Sequence, residues 1–170
     1  MISSCSLESK LELVKPTRLE VGDTIAFCAP SGFLDSSRMA LAKKRLMEKG
    51  FHIVYDDSLF RNWGYLAGKD KIRANELMTY FEDKSIKAIF PGTGGYGATR
   101  ILSLLDYNSI NENPKIFIGF SDITALHIAF NRLSKLVTFH TPNPMYGLGS
   151  NKGLEPISEL YFWSLLMNSC

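Results

Sequence analysis

A chain of 170 residues with 45% hydrophobic side chains can bury the core of one domain and is too short for two full ones. Nineteen Lys and Arg against seventeen Asp and Glu leave a net charge of +2, which excludes the basic balance of a general nucleic-acid binder, and the run Lys43, Lys44, Arg45 reads as a solvated helix face. Cys5, Cys28 and Cys170 are odd in number and lack metal-ligand spacing, pointing to a reduced cytoplasmic setting without metal or other cofactor, while no apolar run nears the ~20 residues needed to span a bilayer.

In chain order, residues 1–16 read as a flexible N-terminal arm, 17–150 as an α/β domain and 151–170 as a terminal amphipathic segment. Thr24 to Ala29 is a short apolar run stopped by Pro30, Ser31 and Gly32, which predicts a buried strand with a turn at its C-terminal end. A helical period follows to Lys49, with Met39, Ala42 and Leu46 on one face, Asp35 or Ser36 as cap and Gly50 just past the end. Phe51 to Tyr55 is the next strand, and strand, helix, strand with short links predicts a right-handed parallel crossover. Ser58 to Gly68 is irregular and carries Trp63 and Tyr65, placed either along a site or over the sheet edge.

Asp70 to Phe81 predicts a helix in which Arg73 pairs at the surface with Asp70 or Glu76, or reaches an anionic substrate. Strands are then expected at Ser85 to Pro91, Lys115 to Gly119 and Leu136 to Phe139, with helices at Ala98 to Leu105 and Asp122 to Leu133. A turn-rich stretch from Thr141 to Gly153 leads to an apolar helix from Pro156 to Met167, expected to cover the sheet. This alternation predicts an open, mostly parallel α/β sheet flanked by helices, flavodoxin-like or class I glutamine-amidotransferase-like, with its ligand site beyond the strands' C-terminal ends.

Two strand ends carry the chemistry. In Gly92-Thr-Gly-Gly-Tyr-Gly97 the glycines allow backbone N–H groups to converge on a negative charge. In Gly119-Phe-Ser-Asp122 a sharp strand-to-helix turn lifts the Ser121 hydroxyl above the sheet, although the hydrolase signature G-x-S-x-G is absent. One turn holding an oxyanion beside another supplying a nucleophile is the minimum for acyl transfer. Ser121 also fits an N-cap, and Asp122 fits a first-turn acid beside a helix terminus. Gly92, Gly94 and Gly97 match dinucleotide spacing as well, but after the third strand and without the expected acidic residue downstream.

Several motifs in one order resemble the LD-carboxypeptidase family of serine peptidases, which includes murein tetrapeptide carboxypeptidases and microcin-immunity relatives. They are Ala29-Pro-Ser-Gly32, Leu66-Ala-Gly-Lys-Asp-Lys-Ile-Arg73, Gly94-Gly-Tyr-Gly97, Leu104-Leu-Asp-Tyr107, Gly119-Phe-Ser-Asp-Ile-Thr124 and Thr138-Phe-His140 with Pro144-Met145. The resemblance implies Ser121 as nucleophile and the backbone N–H groups of Gly94, Gly95 and Asp122 as the oxyanion site. It also implies a murein-derived or related small peptide as substrate, with release of a terminal D-amino acid. In the family a histidine and a glutamate on a second, C-terminal domain activate the serine. His52, His127 and His140 do not take that role here, though His140 follows a strand and is a candidate substrate contact alongside Arg73. The expectation is therefore an incomplete or truncated form, with the C-terminal catalytic domain absent and supplied in cis or in trans. Thr93 replaces the family's usual arginine, and Thr141-Pro-Asn-Pro-Met145 departs from its H-G-P-M. The alternatives are a noncatalytic remnant or assembly domain, including a homodimer, and a dinucleotide-binding module; neither nucleic acid nor membrane is an expected partner.

Overall fold

The computed structural model describes residues 12–168. Five strands form one sheet: β1 (Thr24–Cys28), β2 (His52–Val54), β3 (Ile86–Pro91), β4 (Ile116–Gly119) and β5 (Phe139–His140). They lie in the order β2-β1-β3-β4-β5, and every pairing is parallel. Parallel neighbours need crossovers, and the helices supply them: α1 (Ser36–Glu48) joins β1 to β2, α2 (Asp70–Glu82) joins β2 to β3, α3 (Tyr107–Glu112) lies between β3 and β4, and α4 (Thr124–Leu133) joins β4 to β5. A last helix, α5 (Pro156–Met167), follows the long loop.

Both faces of the sheet are covered, so its strands are apolar on both sides. Ile25, Phe27, Ala88, Phe90, Ile116 and Ile118 face α1 and α5, meeting Met39, Leu46, Phe162 and Leu166. Ala26, Cys28, Ile89 and Phe117 face the other way, against Leu77 and Phe81 of α2 and Leu126 and Phe130 of α4. The helix ends follow local chemistry: the Asp35 carboxylate accepts from Arg38 N–H at 2.8 Å, and Gly50 takes φ +92° just beyond α1.

The local structure departs from the sequence expectation in four places. Ala98–Leu104 is a 3-10 segment, followed by the separate helix α3. The fifth strand is the pair Phe139–His140, while Leu136 instead makes a parallel bridge with Val14. That bridge ties part of the expected flexible arm to the sheet edge; residues 1–11 of the arm lie outside the described residues. Finally, α5 is apolar on both sides, since Phe162 and Leu166 are buried while Ile157, Leu160, Tyr161 and Leu165 are exposed.

Candidate active site

The sheet order reverses direction between β1 and β3: the chain leaves β1 toward β2 and leaves β3 toward β4. A crevice opens where such loops part, beyond the strands' C-terminal ends. Here the loop after β1 and the glycine turn after β3 approach until Gly32 N–H donates to the Gly94 carbonyl at 3.0 Å. The turn after β4 comes as close from the other side. A Cβ on Gly94 would lie 3.0 Å from Ser121 Cβ and 3.1 Å from Asp122 N, so only glycine lets the two turns meet.

Ser121 has φ +61°, a left-handed conformation that L-residues with a side chain rarely adopt. It opens the short 3-10 turn Ser121–Ile123, whose N-cap is Phe120, and neither this turn nor α4 has a side-chain cap. The capping reading of Ser121 is therefore set aside: the side chain is exposed at the crevice and the helix starts without it. Among the described residues, no hydrogen bond engages the N–H groups of Gly94, Gly95 or Asp122, which stay available to an oxyanion.

Two oppositely charged side chains fix this arrangement. Arg73 is fully buried, and its guanidinium donates to the carbonyls of Gly68, Pro30 and Gly97 and to Asp70, which also binds Arg100. Asp122 Oδ2 accepts from Ser31 Oγ at 2.5 Å and from Ala98 N–H at 2.8 Å. The Gly97–Ala98 peptide is thus held at its carbonyl by Arg73 and at its N–H by Asp122. The neighbouring Pro30–Ser31 unit is gripped by the same two side chains. The expected Arg73–Asp70 pair forms, but with a fully buried guanidinium, so Arg73 is corrected from a surface group or substrate contact to an internal clamp, and the Asp122 carboxylate from a helix-terminus acid to a tie across three turns. Nothing local in the sequence signalled that tie, because Ser31 is 91 residues away.

Ser121, Gly94 and Gly95 line one cavity of about 400 Å³ with Tyr65, Asn143 and Tyr146. His140 lines a neighbouring hollow that shares only Phe120 and Tyr146 with it. His127 is buried in α4, its Nε2 3.0 Å from the Gly119 carbonyl, and its ring lies 6.0 Å from that of His140. Burial pushes the His127 imidazole below its ordinary pKa, against the opposing pull of the Gly119 contact, and His140 adds to the lowering. No histidine or carboxylate among the described residues is hydrogen-bonded to Ser121. The glycine turn also leads into a 3-10 segment, and a Cβ at Gly97 would meet Leu66 and Arg73. The long helix N-terminus that a dinucleotide pyrophosphate uses is therefore missing at this turn.

Residues 25–141 match the family described as the LD-carboxypeptidase N-terminal domain. The chain belongs to the LD-carboxypeptidase family. It is 38% identical over 146 residues to the probable murein peptide carboxypeptidase of Bacillus subtilis, covering 86% of this chain and 44% of that protein. It is 33% identical over 151 residues to the microcin C7 self-immunity protein of Escherichia coli, covering 87% and 44% respectively. The crystal structure of an MccF-like protein from Bacillus anthracis superimposes with a TM-score of 0.85 at 36% identity, covering 91% of this chain and 47% of that one. The chain therefore spans about half the length of the relatives it matches, and what it shares with them is this LD-carboxypeptidase α/β domain.

Proposed function

We propose that this chain is the nucleophile-bearing domain of a serine peptidase of LD-carboxypeptidase type, acting in the cytoplasm on the amide before a terminal D-amino acid in murein tetrapeptides. The observation that carries the reading is Ser121 itself, exposed and held at φ +61° beside Gly94, where a Cβ would come within 3.0 Å of the serine's own Cβ. A side chain kept in a costly backbone conformation without capping a helix has another use.

In this reading Ser121 Oγ attacks the scissile carbonyl carbon and gives its proton to a base. The carbonyl oxygen becomes an oxyanion bound by the N–H groups of Gly94, Gly95 and Asp122. Collapse of the tetrahedral centre breaks the C–N bond, and the departing D-amino acid's amine takes the proton. Water then attacks the acyl–serine ester, returning its hydrogen to Ser121 and freeing the shortened peptide. The base and its orienting carboxylate come from outside residues 1–170, on a complementary domain in cis or in trans, because a serine hydroxyl without a base is weakly nucleophilic.

The test is a chromatographic assay of D-alanine release from an L,D-tetrapeptide, with the 170-residue chain alone and then with the C-terminal half of a relative. Negligible turnover alone, turnover on reconstitution and its loss in Ser121→Ala are expected. Full reconstituted turnover by a folded Ser121→Ala variant would sink the nucleophile assignment. Ser121-dependent hydrolysis by the unaided chain would instead make His140 the base to examine. Tight association without any hydrolysis would favour an assembly domain, the reading encouraged by the exposed apolar side of α5.

A further inference from the structure

Among the polar groups lining the cavity beside Ser121 is the carboxamide of Asn143. The residue is 1% exposed, and its Oδ1 accepts from Tyr146 N–H at 3.0 Å. Since that backbone group can only donate, it fixes which end of the carboxamide is oxygen, and Nδ2 is left with two hydrogens to place. Nδ2 has no hydrogen-bond partner among the described residues. Buried amide donors are seldom left unpaired, and this one belongs to a residue that lines the cavity beside Ser121.

The backbone around Asn143 is unusually well held. Prolines precede and follow it, Thr141 N–H donates to Gly119 O at 3.1 Å, and Met145 N–H donates to Gly92 O at 3.0 Å. The segment is thus stitched to the ends of both strands that carry the glycine turn and Ser121. A donor fixed in this way is oriented before any ligand arrives, which is the requirement for selective recognition.

Resting on the peptidase reading above, we propose that Asn143 Nδ2 donates to a backbone carbonyl oxygen of a peptide bound beside Ser121. Asn143 is then a positioning residue that sets the register of the acyl side of the substrate. The acceptor is assigned as a neutral carbonyl because no Lys, Arg or His among the described residues lines this cavity. A terminal carboxylate drawn against a lone neutral amide would lose its water without a compensating cation.

The measurement is a nuclear magnetic resonance titration of the ¹⁵N-labelled 170-residue chain with two probes at millimolar concentration. Nα-acetyl-L-lysyl-D-alanine offers peptide carbonyls and a carboxylate, whereas free D-alanine offers only the carboxylate. The Asn143 side-chain pair is assigned in the wild-type chain by its through-space contact with the Tyr146 amide, which donates to Asn143 Oδ1. The dipeptide is expected to shift that pair together with the Gly94 and Gly95 amides, D-alanine to leave it in place, and Asn143→Ala to weaken dipeptide binding about 10-fold, as for one lost hydrogen bond. Movement of Gly94 and Gly95 with a stationary Asn143 pair would overturn this inference and leave the peptidase reading standing. Equal shifts with D-alanine would overturn the carbonyl assignment in favour of carboxylate recognition. Silence at all three residues would overturn the peptide reading and this inference with it. The wild-type titration decides even if Asn143→Ala does not fold.

Discussion

At Ser121 the backbone angle itself carries a measurable cost. A residue with a Cβ at φ +61° costs about 1 kcal/mol or more relative to an allowed conformation, and glycine escapes that cost. Ser121→Gly should therefore be more stable than Ser121→Ala by about 1 kcal/mol in urea denaturation, although both remove the hydroxyl. Equal stabilities would mean that the strained elbow is absent in solution. His127 makes a second residue-scale prediction. Burial lowers its pKa from 6.5, so as pH falls through about 6.5 the unfolded chain takes up a proton that the folded chain refuses. Stability should fall from there down to the lowered folded value and then level off. In His127→Gln, where an amide can still donate to the Gly119 carbonyl, this component of the decline should vanish. Parallel pH curves for the two proteins would show that the imidazole stays exposed to solvent. His127 lies in the helix that the sequence predicts, and its ring sits 5.4 Å from that of Phe117 and 6.0 Å from that of His140.

The turns at the strand ends act as a unit because one buried cation and one carboxylate hold them. Arg73 serves carbonyls from three loops, and no other side chain has a planar fork with enough donors to do so. Arg73→Lys keeps the charge but loses the fork, and should cost roughly 3 kcal/mol, as expected when a buried charge network is broken. Thermal and urea denaturation would measure this, and a loss within about 0.5 kcal/mol, typical of a surface site, would reject the clamp. Elements set by local chemistry were legible in the sequence. Asp35 and Gly50 bracket α1 as their side-chain and backbone preferences require, and Phe117 and Ile118 are both fully buried, as a strand covered on two sides demands. Elements set by tertiary contacts were not. Ala98–Leu104 has helical spacing, yet its first peptide is pinned by Arg73 and Asp122 and the segment winds as a 3-10 turn. The six residues of α3 are too few to show a period, and Asp106 starts that helix by accepting from Asn108 and Ser109 N–H. Asn143 carried no signal at all, since proline-rich turns announce backbone shape and say nothing of an unpaired carboxamide.

Across the whole molecule, the covered sheet and the open crevice contrast with the outer side of α5. Phe162 and Leu166 bury one side of this helix against Phe90 and the rest of the core, with Trp163 stacked on Phe51 at 5.7 Å. Ile157, Leu160, Tyr161 and Leu165 face outward and remain exposed, continuous with a hollow lined by His140, Thr141 and Pro142. Helices at the surface of a lone globular domain carry polar residues there, and a contiguous apolar patch favours association. The 170-residue chain should therefore self-associate as its concentration rises and bind an apolar dye, both measurable by light scattering and fluorescence. Leu160→Glu with Leu165→Glu should abolish both effects while changing stability by no more than about 0.5 kcal/mol per site, because neither side chain is part of the core. A large drop in melting temperature would instead place these residues inside the packed domain, and a wild-type chain that stays monomeric and dye-silent would show that the patch attracts nothing. The same double variant separates the two uses of the patch. If reconstituted D-alanine release falls while Ser121 and the glycine turn are intact, the face that drives self-association is also the face that receives the complementary domain; if release is unchanged, the two surfaces are different, and the catalytic partner must enter from the crevice side.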